Sequence, residues 1–592
     1  MYCVGMFITE VVSKGKHGKS YTSILLRESF RVGSTVKSKT LAVLTHLPAH
    51  VLEAVRRAVA QPADSLAKLA NASDHSLRLR QGGSFGALWT VDQVARQLGI
   101  QKALGVTREA ELSYWQVLAR VLRPGTSLLA MVRLAASCAA AALLGWRRSF
   151  TEDDLYANGA WLEGRHALIE RRLWQGRPAP PKDQLFLYDV TSSYLEGDYN
   201  ALAAWGYNRD HKEGKKQVVV GLLTDSRGEP VSIQVYRGNT SDLKTFGQQV
   251  HKIKKELGCE GVTLVGDRGM IRTDQKAAAL KAQFHFITAL TKPQIQKLLA
   301  DKVLQLEFFE EQVHEVFGED GRRYVLRRNP VRQEELKKAR EQKRQGLEAA
   351  LRKANTYLEE HPRAKVATQR RHLVARLESF KVQDWLQLSV AKQRLVLTLD
   401  PTALQAAAQL DGCYVVETDL KPAQADAQTI HDRYKDLAYV ERDFRTLKTG
   451  HLEFRPWFVC TQDNTQAHAL TSMLALSIRR HLERAWWPLE VTVEEGLREL
   501  EKLCVMELVH PQSGEVVARQ VPEPTALQKQ LLQALKLDLP TTVPEAEVTV
   551  GVECRSAVVK SAVFAPNWPR SFSQDYDPNV VEVPSVPSSP FP

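Results

Sequence analysis

The sequence of 592 residues predicts an α/β protein built around a mixed β-sheet. From residue 184 onward, compact apolar runs bounded by turn residues indicate strands, and after the third run they alternate with helical stretches. The chain is also longer than one core needs, because roughly 150 residues per domain suggests three or four units. We therefore expect a central sheet with further regions before, within and after it.

A separate region is predicted before the sheet, over residues 1–180. Alternation over residues 21–45 favours a hairpin turned at GSTVKS, and AHVLEAVRRAVA after it has the apolar spacing of a helix. TVDQVARQLGI, residues 90–100, has the length and glycine placement of a helix-turn-helix fragment. A short amphipathic helix ending in glycine explains the same pattern, so both interpretations stay open.

The first part of the sheet is predicted over residues 181–300. Three successive strands should form a meander with SRG as a hairpin turn, followed by a helix capped by Ser241 or Asp242, a strand, a helix and a strand. The five strands are QLFLYDV, KQVVVGLLTD, EPVSIQVYRG, GVTLVGD and FHFITAL. This order is typical of a ribonuclease H-like fold with a mixed five-stranded sheet.

The pattern breaks near residue 300, which indicates a largely helical insertion over 301–410. It contains charged helical stretches at 331–360 and 366–380, and then the alternating segment DWLQLSVAKQRLVLTLD. GCYVVETD restores a strand, and residues 411–485 are expected to complete the sheet domain. A helical region is predicted over 486–565, and the proline- and serine-rich tail 566–592 is expected to be disordered.

Composition narrows the class of protein. The net charge of +12 and pI near 9.2 favour an anionic partner such as nucleic acid, although an ordinarily basic surface has the same effect. The seven cysteines are scattered without a CxxC pair, which argues against a zinc site or a disulfide framework. The start MYCVGMFITE lacks a signal-peptide pattern, and residues 128–146 are interrupted by Arg133, so we expect a buried helix in a cytoplasmic protein.

Two aspartates follow apolar strands. Asp189 comes after FLY and Asp267 after VTLVG, so each is expected at the carboxyl end of a strand, where functional groups gather in α/β sheets. If the two strands are parallel neighbours, the carboxylates face each other and repel. A divalent cation relieves that repulsion by binding oxygens from both.

A third carboxylate is predicted on the helix that contains YVERDFRTLKTG. Counting 100° per residue from Ile430 places Glu441 on the inward face together with apolar residues, whereas Asp443 points elsewhere. An ionised carboxylate there needs a partner. The partner is either a metal shared with the two aspartates or an internal pair with Arg445 or Lys448.

Three such acids suit phosphoryl transfer with two magnesium ions, which activate the attacking oxygen and stabilise the leaving one. No covalent protein intermediate is required. The sequence accordingly has no GxSxG elbow, no HExxH motif and no GxxxxGK[ST] phosphate loop.

Five segments in order resemble insertion-sequence transposases of the DDE class, in the branch with the Y-R-E-K helix signature. They are LYDVTSSYLEG, GYNRDHKEGKKQVVVGLL, YRGNTSDLKTF, GDRGM and YKDLAYVERDFRTLK. The resemblance implies that Asp189, Asp267 and Glu441 form the catalytic, metal-binding triad. It also implies that Tyr434 and Lys448 hold a DNA phosphate. Leu437 stands in place of the signature arginine, and Arg445 on the same helix could supply the phosphate contact that this arginine makes.

The resemblance further implies the reaction and the partners. The protein would bind the ends of its mobile element on double-stranded DNA, hydrolyse a strand to free a 3′ hydroxyl and join that hydroxyl to target DNA. It would use two Mg²⁺ ions, for which Mn²⁺ can substitute, and act as a homodimer on DNA, associated with the nucleoid. A ribonuclease H-like nuclease without strand transfer and a non-catalytic DNA-binding relic are the alternatives.

Further DNA contacts are expected from basic side chains. Arg268 follows the second aspartate, and His211 and Lys212 lie in a basic loop between the first two strands. The arginine-rich insertion could track the DNA backbone, or it could simply be a solvated face. Trp457 and Phe458 could stack on a base or fill a core.

Overall fold

The structure is a computed structural model of the chain. The residues it describes are 2–14, 20–32, 35–47, 52, 55, 56, 59, 77–177, 184–197, 199–210, 212–455, 457–511 and 513–550. The chain divides into two compact units, Met1–Gly551 and Val552–Pro592, and all of the elements below belong to the first. The predicted disordered tail, residues 566–592, lies outside the described residues.

The chain begins with a three-stranded antiparallel sheet, β1 (Tyr2–Lys14), β2 (Ser20–Val32) and β3 (Thr35–Val43). The pairing of β2 with β3 confirms the hairpin predicted over residues 21–45. Strand β1 was not predicted, although it pairs with β2 along its whole length. The helix predicted from AHVLEAVRRAVA falls in a stretch that lies mostly outside the described residues.

A helical region follows. Its elements are β4 (Arg78–Ser84), α1 (Gly86–Gln97), α2 (Ile100–Leu104), α3 (Arg108–Leu122), α4 (Leu128–Ser137), α5 (Ala140–Leu144), α6 (Glu152–Gly164) and α7 (His166–Gln175). The single helix predicted over 128–146 is wrong, because Cys138 is extended and the Ala139 amide donates to the Ser84 carbonyl at 3.0 Å. Among the described residues, no helix is long and apolar enough to cross a membrane.

A mixed eight-stranded sheet forms the centre of the unit. Its first five strands and their helices are β5 (Leu185–Tyr194), β6 (Gln217–Asp225), β7 (Pro230–Arg237), α8 (Asp242–Lys255), β8 (Thr263–Gly266), α9 (Thr273–Lys281) and β9 (His285–Ala289). The spatial order is β10-β11-β14-β9-β8-β5-β6-β7, with β5, β8 and β9 parallel and the β5–β6–β7 meander antiparallel. The five predicted strands are present, but the sheet has eight strands and not the expected five.

The three additional strands come from the insertion and from the segment after it. The elements are α10 (Lys292–Ala300), β10 (His314–Phe317), β11 (Arg323–Arg328), α11 (Pro330–Glu360), α12 (Val366–Phe380), β12 (Leu386–Ala391), β13 (Arg394–Leu399), α13 (Pro401–Ala408) and β14 (Cys413–Thr418). Helices α11 and α12 confirm the two helical stretches predicted there. The insertion also holds the β12–β13 hairpin, and β11 pairs with β14 to extend the central sheet.

The remaining elements pack behind the sheet and against the N-terminal helices. They are α14 (Ala427–Lys435), α15 (Leu437–Lys448), α16 (Gln462–Trp486), α17 (Val493–Glu501), β15 (Cys504–Val509), β16 (Val516–Gln520) and α18 (Ala526–Ala534). One helix was predicted across α14 and α15, but a turn at Asp436 divides it. The region after residue 486 is not wholly helical, because β15 pairs with both β16 and β4.

Candidate functional site

Asp189 and Asp267 lie side by side on two parallel strands. Strands β5 and β8 pair in parallel, and the last aligned pair is Tyr188 with Gly266, so the aspartates follow at equivalent positions. This confirms the expected parallel neighbours. Asp189 was predicted at the end of its strand. That position is wrong, because β5 continues to Tyr194 along β6. It stands instead where the parallel pairing with β8 stops.

Glu441 faces the same space from helix α15. It lines, with Asp189 and Asp267, a cavity of about 690 Å³ that also takes side chains from the insertion. Helix α15 packs against β5 through a buried apolar face formed by Leu437, Val440, Phe444 and Leu447. This packing brings an acid from residue 441 to two acids more than 170 positions earlier in the chain.

The orientation of Glu441 differs from the prediction. Glu441 is exposed at the edge of the apolar face, whereas Asp443, expected to point elsewhere, is fully buried. The prediction was wrong because it carried one helical phase from Ile430 through the turn at Asp436. No ion pair of Glu441 occurs among the described residues, so the alternative of an internal pair with Arg445 or Lys448 has no support there.

The three acids interact electrostatically. Burial raises the pKa of Asp189 to about 7, with further increases from the nearby charges of Asp267 and Glu441, while the Val190 amide opposes the shift. The Val190 amide donates to the Asp189 carboxylate at 2.8 Å, and the Arg268 amide donates to that of Asp267 at 2.8 Å. Like charges thus converge on one cavity, and the nearby charge of Arg209 offsets their effect on the pKa of Asp189 only in part.

These residues fit a divalent cation in their chemistry. Carboxylate oxygens are the ligands that Mg²⁺ prefers, and a cation would offset both the burial and the like charges that raise the pKa of Asp189. Over the described part of the chain, no three His, Cys, Asp or Glu side chains already stand in a ready-made metal shell. Mg²⁺ at phosphoryl-transfer sites usually takes only one or two carboxylates and completes its shell with water and substrate phosphate.

Tyr434 and Arg268 adjoin this group of acids. The Tyr434 hydroxyl donates to Asp267 Oδ1 at 3.1 Å, and burial together with the Asp267 charge raises the pKa of the phenol. Arg268 is exposed and lines the cavity. Lys292, Arg332 and Lys435 line it too; sequence reasoning missed them, because only the fold brings α10, α11 and α14 together at this edge of the sheet.

Lys448 is held inside the protein. Its ammonium donates to Asp210 Oδ1 at 2.9 Å, to Thr191 Oγ1 at 2.6 Å and to the Ser192 carbonyl. Arg445, by contrast, is exposed on the same helix. Leu437, at the position of the signature arginine, is buried and packs into the core.

The other predicted DNA contacts are dispersed. Lys212 is exposed and lies 5.8 Å from the centre of the Tyr194 ring, while His211 lies outside the described residues. Trp457 belongs to the core and donates its indole N–H to Ser193 Oγ at 2.8 Å, so only Phe458, 69% exposed, is available for stacking. In α1, the residues Thr90, Val91, Val94 and Ala95 are buried, which leaves the predicted helix-turn-helix fragment little surface for a DNA groove.

The chain is similar to one protein family over half of its length. Residues 180–478 match the family model of the transposase DDE domain, which is half of the chain. None of the curated proteins matches. Among solved structures, the chain is similar to a cryo-EM structure of a piggyBac transposase synaptic complex with hairpin DNA, with a TM-score of 0.33 and 7% identity, over 71% of this chain and 82% of that one.

Proposed function

Because the chain belongs to the transposase DDE domain family, we propose that it processes the ends of an insertion sequence. It binds the element ends, hydrolyses a phosphodiester to expose a 3′ hydroxyl, and joins this hydroxyl to target DNA. Proteins with this domain generally depend on divalent metal ions. Water is the nucleophile of the first step, and the freed DNA end is the nucleophile of the second.

One observation carries this proposal: Asp189, Asp267 and Glu441 line a single cavity at the edge where β5 and β8 stop pairing. Among the described residues none of these acids forms an ion pair, so a bound cation would relieve the repulsion between them. Two Mg²⁺ ions held by these acids would supply a Lewis acid and an activated water at neutral pH. Asp189, Asp267 and Glu441 are therefore the catalytic residues of the proposal.

The other side chains of the cavity would position the DNA. Tyr434 orients the Asp267 carboxylate through its hydroxyl. Arg268, Lys292 and Arg332 place positive charge around the acids, where a phosphodiester must approach. Arg445, exposed on α15, could take the phosphate contact that the buried Leu437 cannot make.

The sheet supports a ribonuclease H-like core. Read from the outer strand inward, β7-β6-β5-β8-β9 has the order of an antiparallel meander followed by two parallel strands connected through helices. The domain division we propose places the core at 181–300 and 411–485, the insertion at 301–410, and an N-terminal DNA-binding or accessory region over 1–180. Residues 486–565 form the C-terminal region.

The insertion is the proposed guide for the DNA backbone. Helix α11 carries exposed basic side chains, of which Arg332 and Lys337 are 61% and 73% exposed. Both side chains also meet glutamates three residues away on the same helix, which moderates the positive field. Binding through such contacts falls steeply with salt. Two DNA ends must be processed together, so a homodimer on DNA is part of the proposal.

The test is magnesium-dependent cleavage of a labelled duplex that carries the element end. Loss of a residue that orients a metal ligand lowers activity by up to roughly 100-fold. Because Glu441 and Asp189 would bind the metal directly, Glu441→Gln and Asp189→Asn should each lower the cleavage rate by more than this. Both variants should still bind DNA in Ca²⁺. Glu260→Gln, an exposed acid outside the cavity, is the matched control and should cleave normally. Normal cleavage by Glu441→Gln would overturn the assignment.

Pre-cleaved ends separate the remaining alternatives. Joining of these ends to target DNA supports a transposase, whereas cleavage without joining indicates a nuclease. Binding without either reaction, in Mg²⁺ and in Mn²⁺, indicates a DNA-binding relic.

A further inference from the structure

The ammonium of Lys448 has no donor left for a ligand. A lysine has three N–H groups, and here they go to Asp210 Oδ1, Thr191 Oγ1 and the Ser192 carbonyl. The side chains are nearly buried, 11% exposed for Lys448 and 3% for Asp210. A phosphate contact by Lys448 would require that it leave a charged partner in a buried site, which is costly.

The three partners connect the two elements that hold the acids. Lys448 is the last residue of α15, the helix of Glu441, while Thr191 and Ser192 follow Asp189 on β5. A strand residue and a helix end are thereby fixed to each other within hydrogen-bond distance. These hydrogen bonds add a polar link to the apolar packing of α15 on β5, and both contacts fix Glu441 relative to Asp189.

Asp210 accepts several of the hydrogen bonds in this connection. Its Oδ1 atom accepts from Lys448 and also from Arg455 Nη1, and the Tyr194 amide lies 3.4 Å from its Oδ2 atom. The Nη2 atom of the neighbouring Arg209 donates to both carboxylate oxygens of Asp242 at the start of α8. The Arg209 amide donates to Ser192 Oγ at 2.7 Å. The loop between β5 and β6 is thus fastened to β5 and to the end of α15.

From these contacts we propose that the buried Asp210–Lys448 pair is a positioning device of the catalytic centre, which holds α15 on β5 and so keeps Glu441 on the same side of the cavity as Asp189 for binding a metal ion. Neither residue touches the substrate; both act through the acids. The inference rests on the proposed function for the metal and the reaction, but its structural part, the link between α15 and β5, stands apart from it.

The first experiment compares Lys448→Met with Lys255→Met, the latter at an exposed lysine at the end of α8. For Lys448→Met, the full-length protein should bind the element end in Ca²⁺ with an unchanged slope of log affinity against log salt. Its cleavage rate should fall, or its half-saturating Mn²⁺ concentration should rise, by about 10- to 100-fold, which is the usual effect of removing a partner that orients a metal ligand. A phosphate-contacting lysine would instead lower the salt slope by about 1.

The conservative variant separates the two roles further. Lys448→Arg keeps the positive charge and should preserve a phosphate contact, but a planar guanidinium does not reproduce three N–H groups directed at Thr191, Ser192 and Asp210. We expect no rescue of cleavage by Lys448→Arg, and a comparable defect in Asp210→Asn. Asp301→Asn, an exposed acid after α10, serves as its control. Rescue by arginine, or normal cleavage by Asp210→Asn, would overturn the proposal.

Hydrogen exchange keeps the inference independent of activity. Amides of α15 and of β5 around Thr191 should lose protection together in Lys448→Met and Asp210→Asn, with unchanged protection of α11 in the insertion. If the parent protein cleaves no DNA, the proposed function fails while this measurement still decides the link. Unchanged protection of both elements in the two variants refutes the link itself.

Discussion

Asp443 and Glu441 stand two residues apart on α15 in opposite surroundings. Asp443 is fully buried with its Oδ1 atom 2.9 Å from Arg480 on α16, although the two groups are not aligned for a hydrogen bond. Glu441 is exposed and faces the cavity. Arg480 holds the Asp443 carboxylate beside α16 against the burial that raises the pKa of this acid, whereas Glu441 faces the cavity of the proposed metal site.

Removal of the buried acid should destabilise the protein. Asp443→Ala leaves Arg480 buried with only Glu483 as an acidic partner, and breaking a buried pair costs about 3 kcal/mol. Glu441→Ala, on the same helix, should change the free energy of unfolding by less than about 0.5 kcal/mol because its side chain is exposed. Urea unfolding of both variants measures the difference, and equal stabilities would show that the pair contributes nothing.

Elements whose signals are local could be predicted from the sequence. Helix α11 begins where Asn329 accepts from the Arg332 amide and Pro330 occupies the first turn, and strands β5 to β9 are continuous apolar runs. The turn at Asp436 could not be predicted, because no glycine or proline marks it and both flanks favour a helix. Since the helical phase of α15 depends on that turn, the direction of the Glu441 side chain could not be predicted either.

Contacts between elements also determine how stability depends on pH. Glu170 of α7 is buried and binds Lys252 of α8 at 2.6 Å, His166 at 2.9 Å and the Ile233 amide of β7 at 3.0 Å. Burial alone would raise its pKa, but the charges of Lys252 and His166 outweigh burial and hold the pKa at about 2. This carboxylate therefore joins the N-terminal helices to the central sheet in its ionised form.

The stabilisation from Glu170 should be lost in acid. Its pKa is lower in the folded protein than the value of about 4.3 in an unfolded chain, so the contribution is complete above that pH and disappears as the pH falls towards 2. The shift corresponds to about 3 kcal/mol. Urea unfolding between pH 7 and 3 should show a steeper loss for the parent and for Glu260→Gln than for Glu170→Gln. Identical pH dependence in all three proteins would contradict the assignment.

At the scale of the whole molecule, a strand early in the chain pairs with a strand near the end of the described residues. Strand β15 lies between β4 and β16, so residues 78–84 pair with residues 504–509. The Phe85 and Gly86 amides both donate to the Leu503 carbonyl, and the Trp486 indole donates to the Leu531 carbonyl. Such pairings could not be predicted, because short strands more than 400 residues apart leave no periodic signal that connects them.

Truncation tests this mutual dependence. A chain that ends at Glu490 loses α17, β15, β16 and α18, which leaves the edge of β4 without a partner and exposes the buried face of α1 that packs against α17. Unpaired strand edges and exposed apolar faces promote aggregation, so this chain should be unstable or aggregate. A chain that ends at Gly551 keeps all of these elements and is the matched control. Thermal unfolding followed by circular dichroism, together with size-exclusion chromatography, compares the two. If both chains melt cooperatively at the same temperature, the N-terminal region folds without the C-terminal strands.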